Sequence, residues 1–136
     1  MNISNLVSSI HWIPVIVLTL FSFVLGTIWH LPFLFGKIWA KENNITNDQA
    51  KTNLTLTFGV TAIAHFLAIS GLSAVVSGMG GLFGLRWGLF VSIIWVLPAL
   101  AGTYLFAKRS LKLLAIDAGL YIVLFSVAGF ILGIWS

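Results

Sequence analysis

The side chains in this sequence that could bind a small solute or a proton are Asp117, His30, His65, Tyr104, Thr57 and Thr61. An acid and two imidazoles can exchange protons, and a phenol and two hydroxyls can orient a water or a polar ligand. All six sit inside or at the edge of strongly apolar runs. Ionisable groups are costly there and often mark a binding or translocation path. Asn53, Thr57, Thr61 and His65 recur every four residues and so share one helical stripe. At ~1.5 Å per residue His65 lies about 18 Å along the axis from Asn53, near the midplane. The stripe reads either as a hydrogen-bonded seam between helices or as one wall of a polar cavity.

His30 precedes Lys37 by seven residues and Asp117 follows Arg109 by eight. Those offsets place them about 10 and 12 Å inside the membrane from the same side. An aspartate–histidine pair would neutralise two costly groups at once, so His30 is the expected partner of Asp117. A protonated Asp117 bonded to Tyr104 or to a backbone carbonyl is the alternative, and Thr57 is a further candidate at similar depth.

Other chemistry finds no support. Three histidines and Asp117 at different depths do not form a set of three or four converging metal ligands, so no metal is expected. His30 and His65 are not level, which argues against a bis-histidine haem, and no cofactor is expected. There is no cysteine, no Gly-x-Ser-x-Gly and no phosphate-cradling loop. No catalytic residue is assigned and no enzyme is read from the chain.

The elements that must carry these residues follow from composition. The 136 residues are 60% hydrophobic and 7% charged, against roughly a quarter charged in soluble domains. Four apolar runs, at about 12–35, 54–77, 88–106 and 111–135, match the ~20 residues that cross a bilayer as a helix. The expectation is one domain over 1–136, an all-α membrane protein built as a four-transmembrane-helix bundle. The first run lacks a preceding basic residue and a cleavage pattern, so it reads as a true span and not a signal peptide. Pro32 should stop or kink it, and Pro98 and Gly102 allow a bend in the third. Segment 36–53 is a polar loop, in which Thr46-Asn-Asp-Gln reads as a helix cap. Segment 78–88 has five glycines and reads as a membrane-hugging turn, or else as a short re-entrant element. In the last run Gly119, Gly129 and Gly133 form a ridge for close helix packing, within one chain or in a homodimer.

Charge sets the expected topology. Six basic residues fall in the first and third loops, and only Arg86 lies on the other side. By the positive-inside bias both termini are outside and two loops are cytoplasmic. The sequons Asn44-Ile-Thr46 and Asn53-Leu-Thr55 then face the cytoplasm and are discounted. The net charge of +4 sits beside apolar runs, so it reads as lipid contact and not as nucleic-acid binding.

WHLPFLFGKIW, from Trp29 to Trp39, resembles the exit of the first span in a bacterial family catalogued as domain of unknown function 1761. Tyr104 to Gly119, followed by Gly129-Phe-Ile-Leu-Gly133-Ile-Trp135, is similar to that family's last hairpin. The resemblance implies a small multi-pass protein of the bacterial inner membrane and supplies no catalytic residue. The favoured function is a bundle that binds or translocates a small molecule or ion, a candidate transporter. The alternative is a structural or accessory protein that binds another membrane protein or lipid. Its partners are the bilayer and, as candidates, a second copy, a membrane protein or a small ligand.

The topology is open to a direct test, since the chain has no native cysteine. A cysteine placed at Ser4 should react with an impermeant maleimide from outside, and one at Lys41 should not. The reverse pattern would refute the orientation.

Overall fold

The computed structural model describes residues 2–44 and 53–135, so the expected cap at Thr46 lies outside the described residues. The described residues form helices and no strand. They are α1 (Ile3–Ser8), α2 (Trp12–Trp29), α3 (Lys37–Asn43), α4 (Leu54–Val76), α5 (Gly81–Phe106) and α6 (Leu111–Ile134). Four of them, α2, α4, α5 and α6, are long and apolar enough to cross a membrane. Below, the end of the bundle bearing the turn at 78–80 is called upper and the end bearing α3 lower.

The breaks between helices have local causes. Leu31 is extended, as the residue before a proline prefers, and α2 stops there. Pro32–Gly36 forms a wide π-type turn in which Leu34 leaves helical geometry, with φ −99° and ψ −108°. Gly36 has no room for a Cβ, which would collide with the His30 carbonyl. The chain thus turns sharply into α3. Between α5 and α6, Lys108 takes a left-handed φ of 60°. Ser110 caps α6 by accepting the Leu113 N–H at 3.1 Å. In α5, Pro98 cannot donate to the carbonyl four residues back. The ladder widens just before it, and the Leu97 N–H reaches the Ser92 carbonyl, five residues back.

α6 is the axis of the bundle. A third of its span is buried against the other helices, compared with 11% for α5. In the upper half Phe125, Ala128 and Leu132 pack with Val15 and Leu18 of α2 and Ile69, Leu72 and Val76 of α4. In the lower half Leu113, Leu114 and Ala118 pack with Tyr104, Leu97 and Leu100 of α5 and with Trp39 of α3. The lower part of α4, Leu54 to Val60, is exposed on every side.

The largest difference from the sequence reading is at 78–88. Only residues 78–80 form the turn, with Gly78 at φ 73° and Gly80 at φ 104°, and the third span begins at Gly81 instead of near 88. The glycines of this stretch are interface residues. Gly80, Gly84 and Gly88 repeat every four residues and lie directly on the backbone of α6. A Cβ on Gly84 would collide with the Gly129 carbonyl, and one on Gly129 with the Gly84 carbonyl. Gly88 meets the Phe125 carbonyl in the same way, and Gly133 meets that of Gly80. The turn also caps α6, since the Gly80 N–H donates to the Gly133 carbonyl at 2.9 Å. Glycine's poor helix propensity is overridden by this contact, which no larger residue permits.

Gly129→Leu and Gly84→Leu should each destabilise the bundle by about 3 kcal/mol or more, the upper range for overpacking. Gly59→Leu should leave stability nearly unchanged, because no atom lies within 4 Å of an added Cβ there. Thermal unfolding in mild detergent, followed by circular dichroism, distinguishes the two classes.

Candidate functional site

The polar residues of the bundle form two separate groups. The lower group closes on Asp117. Asp117 lies two turns into α6, beyond the Ser110 cap. The Trp39 indole N–H donates to its Oδ1 at 3.0 Å. The Tyr104 hydroxyl donates to its Oδ2. Arg109 sits over the Tyr104 ring, with its guanidinium carbon 4.7 Å from the ring centroid. A cation there draws on the ring's negative face and makes the phenol a better donor to the carboxylate. Arg109 also donates to Asn43 Oδ1, and Asn43 Nδ2 donates to the Trp39 carbonyl at 3.0 Å. Five residues therefore close a ring, Asn43, Arg109, Tyr104, Asp117 and Trp39, with Trp39 contributing both its indole and its backbone carbonyl. It clasps α3 onto the hairpin of α5 and α6.

The clasp depends on the widened turn in α5. At ~100° per residue an uninterrupted helix would set Tyr104 about 160° around from Gly88, away from α6. Absorbing one residue in the π-type turn reduces the offset to about 60°, so both ends of α5 face α6. Tyr104 is accordingly buried, at 8% exposure.

The upper group is simpler. His65 Nδ1 lies 2.9 Å from Ser22 Oγ, and Ser22 donates to the Thr19 carbonyl at 2.6 Å. With its proton used on that carbonyl, Ser22 accepts from His65, so the imidazole carries its proton on Nδ1. The edge of the Tyr121 ring packs on the imidazole at 5.9 Å between centroids. Near the top, Ser73 accepts the His11 N–H at 3.0 Å and joins α2 to α4.

Of the residues singled out from sequence, the structure brings Asp117 and Tyr104 together. His30 does not pair with Asp117. Its Nδ1 bonds the Gly26 carbonyl at 2.8 Å, because the C-terminal turn of α2 offers that acceptor closer at hand. The His30 ring instead packs edge-on against Trp39, 5.0 Å between centroids. The stripe on α4 divides: His65 bonds α2, Thr61 is half-buried, and Thr57 is exposed. Gly129 and Gly133 oppose α5, whereas a Cβ on Gly119 would approach the Trp29 ring to 3.2 Å. Trp29 is itself held by its indole N–H, 2.9 Å from the Ile116 carbonyl.

Sequence reading missed Trp39, Asn43 and Arg109 as members of the clasp. Trp39 had a signal, an indole donor close to a costly acid's depth. Arg109 was read only as a topology charge.

Tyr104→Phe should cost about 1 kcal/mol, one hydrogen bond to a charged or polar acceptor. Asp117→Leu strands two donors and should cost about 3 kcal/mol, whereas Asp117→Asn, which can accept from Trp39 and donate to Tyr104, should cost less. A double-mutant cycle of Tyr104→Phe with Asp117→Asn should show coupling of about 0.5 kcal/mol or more, and His30→Gln with Asp117→Asn should be additive.

A family model described as Protein of unknown function (DUF1761) matches residues 13–133. No curated protein and no solved structure matches the chain.

Proposed function

Because the chain belongs to the DUF1761 family, whose description carries no activity, we propose its function from the geometry: an accessory integral membrane protein that acts through its lipid-facing sides. The observation that carries this reading is where the polar groups and the open space lie. Asp117 is bonded by Trp39 and Tyr104, and His65 by Ser22, so the acid and the mid-span imidazole bind their own neighbours. The space lies elsewhere. A groove of about 530 Å³ opens sideways between α4 and α5 and is lined by apolar side chains and glycine. A translocating bundle calls for polar groups converging on shared space, and that arrangement supports transport less well. The charge split supports an orientation with both termini outside, and the family resemblance supports a bacterial inner-membrane location.

Reconstitution tests this. Vesicles carrying the protein and an internal pH dye should dissipate a proton gradient no faster than empty vesicles, and Asp117→Asn should change nothing. Proton flux well above the empty control, abolished by Asp117→Asn or His65→Gln in folded protein, would replace the accessory reading with transport.

A further inference from the structure

We infer that the groove between α4 and α5 is a binding site for one anionic phospholipid, with its headgroup at Arg86 and an acyl chain along the groove. The inference rests on the lateral reading above and names the ligand. Two adjoining features carry it.

The first is the groove. Leu67, Gly71 and Val75 of α4 form one wall, and Val91, Trp95 and Ala99 of α5 the other. It exists because α5 lies against α6 through the glycine contact while α4 packs on α2 and α6, so α4 and α5 are held apart. From Trp87 to Leu100 it runs about 20 Å at ~1.5 Å per residue. One leaflet of a ~30 Å hydrocarbon core is about 15 Å deep, so the groove accommodates a chain over the depth of its leaflet. No protein atom lies within 4 Å of a Cβ added at Gly71. A chain can therefore approach the α4 backbone there.

The second is a cup at the groove's upper mouth. Phe83, Arg86, Trp87 and Phe90, on one face of α5, line an open, shallow hollow of about 430 Å³, and Trp87 is a wall of both this cup and the groove. Arg86 is the one cation in the upper half of the described residues. It sits five residues into α5, about 7 Å below the helix start, from where its guanidinium can reach the headgroup layer. No acid at that end neutralises it among the described residues: Glu42 lies on α3, and Asp117 is spent in the clasp at the lower end. Asp48 lies outside the described residues. A planar guanidinium with several donors matches a phosphodiester, and the aromatic rings match the glycerol and upper acyl region. A zwitterionic lipid would present its own cation to Arg86. The charge therefore favours a net-negative headgroup.

The test is native mass spectrometry of the full chain from mild detergent, titrated with phosphatidylglycerol or phosphatidylcholine of identical acyl chains. One phosphatidylglycerol should be retained about fivefold better than phosphatidylcholine, the worth of one basic residue beside anionic lipid. Arg86→Gln should bring that ratio near one. Gly71→Leu and Ala68→Leu, which fill the groove, should lower retention of both lipids several-fold. Gly59→Leu, on α4 outside the groove, should change neither. An unselective parent protein, or selectivity that survives Arg86→Gln, overturns the assignment. So does a lipid-free dimer that Gly71→Leu dissociates, which would make a second copy the occupant. These results are independent of vesicle flux, so failure of the lipid site and failure of the accessory reading are separable.

Discussion

The structure depends on a contact between two backbones. Lipid tails are as apolar as leucine, so no hydrophobic force gathers helices inside a membrane. What remains is close packing, with dispersion and weak Cα–H···O contacts, and these need helices near enough to touch. Gly84 and Gly88 on one side, and Gly129 and Gly133 on the other, remove the side chains that would prevent it. The same approach lets the turn at 78–80 satisfy the last carbonyls of α6. Capping and packing are thus one event, and the α5–α6 hairpin becomes the rigid unit on which α2, α3 and α4 assemble.

That contact also determines where space is left. α5 lies along α6 and has little other support, while α4 fills the opposite side with α2. The gap between α4 and α5 follows from this division and not from any residue that lines it. In a soluble protein such an apolar groove would be an unfavourable exposure. Within a bilayer it is a place for an acyl chain, and the cation at its mouth lends it a preference.

The lower end is held by different means. Here Asp117 needs donors, and the protein supplies two from elements distant in sequence. One comes from a short helix between spans and the other from the far end of α5. Both depend on local irregularities: the turn at Pro32–Gly36 that redirects the chain into α3, and the widened turn before Pro98 that rotates Tyr104 toward α6. Prolines that look like helix breakers in the sequence act here to aim side chains.

Much of this was legible from the sequence, because bilayer crossing is a local property. Twenty apolar residues make a span whatever they pack against, so the four helices, the all-α class and the need of Asp117 for a partner follow from composition and spacing. The ridge Gly129-x-x-x-Gly133 was visible for the same reason, since its period lies within one helix. The identity of its partner was not, and the glycines at 78–88 read as a turn because glycine alone signals flexibility. Only an opposing backbone reveals them as helix and interface. The clasp was likewise beyond reach: Asn43 and Arg109 are 66 residues apart along the chain, Trp39 lies further still from Arg109, and nothing local says they meet. His30 had a nearer acceptor in its own helix, and half of the threonine stripe had no neighbour to face. Spacing decides which residues share a face. Which face meets which is set by the whole bundle, through contacts that no stretch of sequence contains.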